Sequence, residues 1–321
     1  MKLVIQIPCL NEAEVLPQTL KDLPREIDGI DEIEVLIIDD GSTDGTVTVA
    51  REHGVKHVVS FTSNLGLARA FAAGLDKALK LGADIIVNTD ADNQYRGDCI
   101  ADLVRPILDG RADLVVGDRQ THTVEHFSWL KKRLQKLGSW VVRKLSGTDV
   151  PDATSGFRAY SREAALRLNI VSEFSYTVET IIQAGMRGLI TTHVPIQTNP
   201  VTRESRLFRS TWHFIKQQSA TILRMYVMYS PLKTFAVLSA VPFLIAMVLG
   251  IRFLVFYFSS GRASGHVQSL IVMAVLFTLS FLLMVLGILA DLIYGSRRLV
   301  EDALYRTRLM ELRERETRKP G

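Results

Sequence analysis

Two long stretches without charged residues limit most strongly what this chain can fold into. No Asp, Glu, Lys or Arg occurs from Thr234 to Ile251 or from Ser269 to Ala290. The second stretch would be about 33 Å long as a helix, close to the roughly 30 Å hydrocarbon core of a bilayer. We therefore expect transmembrane helices over residues 231–258 and 269–294, joined by a short external loop over 259–268. A pair of buried core helices is the alternative interpretation.

Positive charge flanks the expected pair of spans. The tail, residues 295–321, holds eight Lys and Arg residues against five Asp and Glu residues. Because Lys and Arg favour the cytoplasmic side of a membrane, both termini and the N-terminal domain are expected in the cytoplasm. Residues 207–230 mix aromatic and aliphatic side chains with cations. That mixture is typical of one or two amphipathic helices in the membrane interface, although a packed soluble helix would show it too.

The overall composition averages these unlike parts. The mean hydropathy is +0.17, the net charge is +4 and 22% of the residues are charged, which excludes a disordered chain. Cys9 and Cys99 are too few for a disulfide framework and fit a reducing compartment. The cations gather beside the expected spans, so anionic lipid is a simpler partner than nucleic acid. Gly250 and Gly287 are small residues that would allow the spans to pack in a homo-oligomer.

Residues 1–206 alternate apolar, strand-like runs with helical segments. The strand-like runs are Leu3–Ile7, Glu34–Asp39, Lys56–Ser60, Asp84–Asp90 and Ala112–Gly117. This alternation predicts a doubly wound α/β sheet, in which ligands bind at the carboxyl ends of the strands. The sequence contains neither the glycine pattern of dinucleotide-binding folds nor that of P-loop nucleotidases, which disfavours both classes.

A first polar cluster, Asp90-Ala-Asp-Asn-Gln94, follows the fourth strand-like run. The carboxylates of Asp90 and Asp92 and the amide oxygen of Gln94 are ligands suited to Mg²⁺ or Mn²⁺. The alternative is that this cluster only caps the next helix. Because it follows a buried strand, we expect a cation site here.

A second cluster surrounds the end of the second strand-like run. Asp39 and Asp40 are expected to accept hydrogen bonds from a nucleobase or a ribose, because two buried carboxylates would otherwise cost stability. Gly41 permits a tight turn, and Asp44 and Thr46 are expected to be structural.

Six motifs together resemble a known family. They are Pro8-Cys-Leu-Asn-Glu12, Ile38-Asp-Asp-Gly-Ser-Thr-Asp-Gly-Thr46, Asn64-Leu-Gly-Leu-Ala68, Asp90-Ala-Asp-Asn-Gln94, Gly117-Asp-Arg119 and Ser155-Gly-Phe-Arg158. In order and spacing they are similar to the GT-A glycosyltransferases of family 2. The resemblance is strongest to the polyprenyl-phosphate glycosyltransferases, which use dolichyl or undecaprenyl phosphate. It covers roughly residues 3–206, and the pair of spans resembles the membrane-anchored members.

The resemblance implies a role for each matching position. The nucleotide sugar would lie against Pro8, Asn11, Glu12, Asp39, Asp40, Gly66, Asp90, Ala91, Ser155, Glu179 and Arg203. Mg²⁺ or Mn²⁺ and the diphosphate would be held by Asp90, Asp92 and Gln94. The lipid phosphate would meet Arg119, Arg133, Lys136, Ser205 and Arg206. Two positions depart from the family: Arg206 replaces a Lys, and Leu10 replaces a Tyr, so the nucleotide is not implied.

The implied reaction moves a hexosyl group from UDP-Glc, GDP-Man or a similar donor to a polyprenyl phosphate. Asp92 and Arg119 would act on the diphosphate as its charge develops. The acceptor phosphate is largely dianionic at neutral pH and already nucleophilic, so a strong base is not required. Asp152 is the candidate if a carboxylate assists. The basic segment 129–144 is expected to lie on anionic lipid, unless it is only a solvated helix face.

Two other functions stay open at this point. A processive polysaccharide synthase of the same fold would carry a Gln-x-x-Arg-Trp motif, which this sequence lacks. A non-catalytic membrane scaffold would have lost the cluster at residues 90–94, which is present.

Overall fold

The computed structural model describes most of the chain. It covers residues 1–120, 129–172, 176–200, 211–260 and 267–318, with the backbone alone at 129–137, 211–218, 260, 267, 316 and 318.

In the described part of the chain, seven strands form one mixed sheet in the order β3-β2-β1-β4-β6-β5-β7. The strands are β1 (Lys2–Cys9), β2 (Glu32–Asp39), β3 (His57–Ser60), β4 (Ile85–Asn88), β5 (Leu114–Asp118), β6 (Arg158–Ser161) and β7 (Thr191–Pro195). Only β6 runs against the others. The predicted α/β sheet is confirmed, and its first five strands lie where the apolar runs placed them.

The direction of β6 positions the site. Arg158, its first residue, pairs with Asn88 at the end of β4. The segment that enters β6 therefore lies at the edge where β1, β2 and β4 end. Sequence patterning missed β6, because a four-residue strand that begins with an arginine has no apolar run to reveal it.

Helices cover both faces of the sheet. They are α1 (Leu16–Asp22), α2 (Thr46–Glu52), α3 (Leu67–Lys80), α4 (Cys99–Leu108), α5 (Trp129–Ser146), α6 (Arg162–Arg167) and α7 (Tyr176–Met186). On one face, Leu3, Ile5 and Ile7 of β1 join a buried apolar cluster with side chains of α1 and α4. Burial on both faces explains why the inner strands are continuous apolar runs.

The C-terminal third consists of α8 (Thr211–Tyr229), α9 (Pro231–Ser260) and α10 (Val267–Arg318). Residues 223–303 form one compact unit, and residues 1–222 with 304–321 form the other. Pro231–Ser259 and Gln268–Arg315 are long and apolar enough to cross a membrane, judged by length and composition. Only 17% and 11% of their most apolar windows are buried, which argues against ordinary core helices.

Within the second unit, α9 and α10 contact each other through small residues. The Ser280 hydroxyl donates to the Ser239 carbonyl oxygen (2.9 Å). A side chain on Gly287 would meet Phe235, and one on Gly250 would meet Met273. Both glycines therefore serve contacts inside the chain, which removes the sequence argument that they join separate copies.

The basic tail is not a separate segment, because α10 continues through it to Arg318. In the first unit, the Tyr305 hydroxyl donates to the Glu163 carboxylate (3.1 Å). Arg308 Nη1 donates to the carbonyl oxygens of Leu166 and Leu168, both at 3.1 Å. The end of α10 is thereby fixed on α6.

Candidate active site

The candidate site lies where β1, β2 and β4 end and where the chain enters β6. The loops after β1 and β2 are joined by hydrogen bonds between their own polar groups. The Asn11 amide donates to the Ser42 hydroxyl (2.9 Å), and the Thr43 amide donates to the Asn11 side-chain oxygen (2.8 Å). Asn11 has the positive φ of 56° that such a turn requires. Its side chain holds the loops together, a role that the expected nucleotide contact did not include.

The same pattern continues one residue further along the chain. The Glu12 amide donates to the Thr46 hydroxyl (2.9 Å), and the Ala13 amide donates to Asp44 (3.1 Å). Asp44 and Thr46 are structural, as predicted. Pro8 lies in β1 beside Ile38, so the predicted nucleotide residues Pro8 and Glu12 flank the end of the strand.

Asp39 and Asp40 are both buried but do different work. The Asp40 carboxylate accepts hydrogen bonds from the backbone amides of Leu65 (2.7 Å) and Gly66 (3.0 Å). Asp39 accepts from the Ser42 amide through Oδ1 (3.1 Å). Asp40 therefore fixes the loop before α3, and its expected contact with the nucleotide stays a prediction. Asp39 remains suited to a ligand.

Two glycines let the chain approach Asp40. A Cβ on Gly41 would lie 2.5 Å from the Ser63 carbonyl carbon, and its φ is +75°. Gly66 has a φ of +96° and directs its amide to Asp40. Gly66, expected beside the nucleotide sugar, is thus placed as a backbone turn at the start of α3.

The loop after β4 presents carboxylates differently. Asp92 Oδ1 accepts from the Gln94 amide (3.0 Å), whereas Asp90 accepts no hydrogen bond from the described residues. The backbone of this loop is nevertheless fixed. The Thr19 hydroxyl donates to the Ala91 carbonyl (2.8 Å), and the Asn199 amide donates to the Gln94 carbonyl (2.9 Å).

The electrostatics at Asp90 suit a cation. Burial raises the pKa of Asp90 to about 7, with the neighbouring charge of Asp92 adding to the rise and Arg119 opposing it. A divalent ion would offset the repulsion between the two carboxylates, and Gln94 adds a third oxygen ligand. The donor set therefore fits Mg²⁺ or Mn²⁺, although the described residues hold no cluster of three acidic, His or Cys ligands.

Arg119, at the end of β5, forms a two-pronged ion pair with Asp152. Its Nε and Nη2 lie 2.7 and 3.0 Å from the two carboxylate oxygens, and Nη2 also donates to Thr154 Oγ1 (2.9 Å). Burial would raise the pKa of Asp152, but the charge and hydrogen bonds of Arg119 outweigh it and lower that pKa. Asp152 is therefore placed to orient Arg119. The predicted role of Asp152 as a catalytic carboxylate stays a prediction.

Ser155 and Gly156 precede β6 and lie beside this group. Ser155 is fully buried, and its hydroxyl oxygen has no partner in the described structure. A Cβ on Gly156 would lie 3.3 Å from both carboxylate oxygens of Asp90. The segment thus lies close to the Asp90 carboxylate, and the predicted contact of Ser155 with the nucleotide sugar stays a prediction.

Glu179, in α7, does not present its carboxylate as expected. The two oxygens accept hydrogen bonds from the backbone amides of Val171 and Ser172, each at 2.9 Å. The side chain is fully buried. Glu179 therefore holds the segment before α7, and its predicted contact with the nucleotide sugar stays a prediction.

Several predicted residues lie outside the described structure. They are Arg203, Ser205 and Arg206, together with the side chains of Arg133 and Lys136. Their expected contacts with the nucleotide and the lipid phosphate stay predictions.

Other residues in the site were not predicted. The Tyr95 hydroxyl accepts from the Gly156 amide (3.1 Å), and its ring stacks on Phe157 at 5.0 Å between centroids. Asn88 and Arg158 contact the backbone of the same segment. Two features of the sequence could have indicated them. Asn88 is a polar residue at the end of an apolar strand, and Arg158 is a charged residue at the start of another.

Comparison with known proteins places this geometry in context. The sequence pattern described as glycosyl transferase family 2 matches residues 4–168, just over half of the chain. Polyprenol monophosphomannose synthase of Mycolicibacterium smegmatis is 30% identical over 204 residues, which are 60% of this chain and 76% of that protein. Undecaprenyl-phosphate mannosyltransferase of Micrococcus luteus is 32% identical over 206 residues, 61% of this chain and 83% of that protein.

A solved structure shares the fold. It is glucosyl-3-phosphoglycerate synthase from Mycobacterium tuberculosis in complex with Mn²⁺, uridine diphosphate and phosphoglyceric acid. The TM-score is 0.51 at 20% identity, over 71% of this chain and 78% of that chain.

Proposed function

We propose, from the premise that this chain belongs to glycosyl transferase family 2, that it transfers a hexosyl group from a nucleotide sugar to a polyprenyl phosphate. The observation that carries the proposal is the pair Asp90 and Asp92 beside Arg119, at the edge where the strands end. Asp90 has no donor among the described residues, so its carboxylate is available to a bound cation. The two relatives named for polyprenyl-phosphate mannose chemistry support the choice of acceptor.

The donor side of the reaction follows from these charges. Asp39 would bind the nucleoside, and Asp90, Asp92 and Gln94 would hold Mg²⁺ or Mn²⁺. Such an ion, when bound, neutralises charge that develops on the departing diphosphate. The solved neighbour that contains Mn²⁺ and uridine diphosphate supports a divalent ion in this fold.

The lipid phosphate acceptor has to be bound by a positively charged side chain, whereas it does not require a general base. An oxygen of the lipid phosphate forms a bond to the anomeric carbon while the bond from that carbon to the diphosphate breaks, leaving a nucleoside diphosphate. Arg119 is held by Asp152 at one side of the site and would attract phosphate oxygens. The acceptor is already an anion, so no proton has to be removed from it.

The membrane part would bring the two substrates together. We propose that α9 and α10 cross the bilayer, with the catalytic domain and both termini on the cytoplasmic side. In α5, Trp140 is half exposed and Lys144 lies 5.3 Å from its ring, a combination suited to a lipid surface. This fits the expectation for residues 129–144.

The direct test incubates membranes that contain the protein with labelled UDP-glucose, UDP-N-acetylglucosamine or GDP-mannose, each with polyprenyl phosphate. Label from one of the donors should enter the lipid phase, and excess EDTA should stop the transfer. The Asp92→Ala variant should insert into membranes normally but not transfer label. Near-normal transfer by that variant, or turnover unchanged in EDTA, would overturn the cation assignment.

A further inference from the structure

The segment before β6, residues 153–156, is held by the buried guanidinium of Arg158. Arg158 is fully buried, and its guanidinium donates to the carbonyl oxygens of Ala153 (2.9 Å) and Ser155 (2.8 Å). It also donates to the Thr177 carbonyl and the Thr180 hydroxyl of α7, both at 2.6 Å. Among the described residues, no carboxylate shares these bonds. Burying a charge in this way is costly unless hydrogen bonds satisfy it, so the side chain is committed to these backbone groups.

A second buried side chain holds the next carbonyl along. Asn88 Nδ2 donates to the Gly156 carbonyl oxygen (2.9 Å) and to the Tyr176 hydroxyl (2.8 Å). Its amide oxygen accepts from Gln6 Nε2 (2.9 Å), which fixes the orientation of the amide. Tyr176 is itself immobilised by stacking on Phe71, with ring centroids 3.8 Å apart. The Gly156 carbonyl is therefore tied to the centre of the sheet.

The other side of this segment reaches the functional groups. Gly156 approaches Asp90 so closely that a Cβ would lie 3.3 Å from both carboxylate oxygens. Thr154 accepts a hydrogen bond from Arg119 (2.9 Å). Asp90, the expected cation ligand, and Arg119, the expected phosphate contact, thus both lie against the irregular backbone of residues 153–156.

We propose that Asn88 and Arg158 are positioning residues, which set the site for the divalent ion by fixing the 153–156 backbone against Asp90. This inference rests on the proposed function, because it concerns the same ion. Neither side chain touches a substrate in this account. A buried carbonyl that loses its hydrogen-bond donor is costly, so the 153–156 backbone would shift to restore such bonds. Gly156 would shift with it and change the surroundings of the Asp90 carboxylate.

The structure offers a matched control for Asn88. Gln183, in α7, is also a fully buried amide; it donates to the Asn169 carbonyl and to the Glu179 carboxylate (3.0 Å), and it accepts from the Asn169 amide. Asn88→Ala and Gln183→Ala therefore each remove one buried amide. Asn88 holds the Gly156 carbonyl beside Asp90, whereas the hydrogen bonds of Gln183 go to Asn169 and Glu179. Both variants should lower the melting temperature by similar amounts.

The test measures Mn²⁺ binding directly, by electron paramagnetic resonance of the free ion in the presence of uridine or guanosine diphosphate. Asn88→Ala should weaken Mn²⁺ binding about tenfold, whereas Gln183→Ala should leave it unchanged. Equal Mn²⁺ affinity in Asn88→Ala and the wild type would overturn the inference, as would equal weakening in both variants. Failure of the proposed function looks different, since the wild type and Asp92→Ala would then bind Mn²⁺ alike.

Two further variants keep the inference testable if Asn88→Ala does not fold. Gly156→Ala removes no hydrogen-bond donor but adds a methyl group 3.1 Å from the Tyr176 hydroxyl and 3.3 Å from both Asp90 carboxylate oxygens, so it should also weaken Mn²⁺ binding. Arg158→Lys keeps the charge but offers fewer directed donors to the carbonyls of Ala153 and Ser155. It should therefore also weaken Mn²⁺ binding. Wild-type Mn²⁺ affinity in folded Gly156→Ala would contradict the claim that this backbone sets the site.

Discussion

Asp40 and Asp90 are alike in sequence and opposite in structure. Each lies just beyond the end of an apolar strand, and each is followed by a loop rich in polar residues. The Asp40 carboxylate accepts two backbone amides. Asp90 accepts none from the described residues, and its pKa is raised to about 7, first by burial and then by Asp92. A carboxylate that the fold has satisfied stabilises a loop, whereas one left without donors is available to a ligand.

The largest effect is expected at Asp90. Asp90→Asn removes a cation ligand and should lower turnover about 10³-fold, since an ion on the diphosphate contributes several kcal/mol to the barrier. The fold should not suffer, because a neutral amide replaces a carboxylate that accepts no hydrogen bond from the described residues. Turnover in membranes checks the expected loss of activity, and a melting curve on the same preparation checks that the stability of the fold is unchanged. A large drop in melting temperature would show that Asp90 is structural.

Arg119 and Asp152 test whether the ion pair positions the arginine. Arg119→Ala should lower kcat/KM about 100-fold and also destabilise the domain, because it removes the cation that pairs with the buried Asp152 carboxylate. The double variant Arg119→Ala/Asp152→Ala should recover part of the lost stability without recovering activity. If Asp152→Asn alone abolished turnover while Arg119→Ala retained it, Asp152 would be the catalytic group instead.

Asp40 should show the reverse of Asp90. Asp40→Asn loses two charge-assisted hydrogen bonds to Leu65 and Gly66, a cost of about 2 kcal/mol in unfolding free energy. The activity per folded molecule should fall only a few-fold. Denaturant titration of the detergent-solubilised protein, with activity normalised to the folded fraction, measures this. Unchanged stability would remove the contrast with Asp90.

The smallest effect is expected at the end of α10. Arg308→Ala removes hydrogen bonds to the carbonyls of Leu166 and Leu168 and should cost about 1 kcal/mol in unfolding free energy. Turnover should be unchanged, because Leu166 and Leu168 follow the end of β6 that pairs with the start of β4, at the opposite edge of the sheet from the candidate site. Protease sensitivity of the tail and the rate of transfer report the two effects separately. A loss of turnover without a loss of stability would give the tail a role in catalysis.

Much of the fold could be predicted from sequence because burial leaves a mark in hydropathy. The strands from β1 to β5 are apolar on both faces, so each appears as a continuous run. β6 left no such mark, since its first residue is a buried Arg158 whose charge is satisfied by backbone carbonyls. The tail was expected as a separate basic segment, but nothing in its sequence stops a helix, and α10 continues through it.

The candidate site was only partly readable from the sequence. Asp90 and Asp92 were identified because they follow a strand. Asp39 and Asp40 could not be separated, since the amides that satisfy Asp40 lie 25 and 26 residues further along the chain. The backbone partners of Asn11 and Glu179 could not be predicted for the same reason: a polar residue in a loop or helix does not reveal which backbone group it will meet.

The central claim is that Asp90, whose carboxylate accepts no hydrogen bond from the described residues, forms with Asp92 a cation-dependent site for the nucleotide. Isothermal titration of uridine and guanosine diphosphate, with and without Mn²⁺, tests it most directly on the wild type, Asp40→Asn and Asp90→Asn. The account predicts that Mn²⁺ tightens binding of one nucleotide in the wild type and in Asp40→Asn, and has no effect in Asp90→Asn. Equal tightening by Mn²⁺ in Asp90→Asn would contradict it.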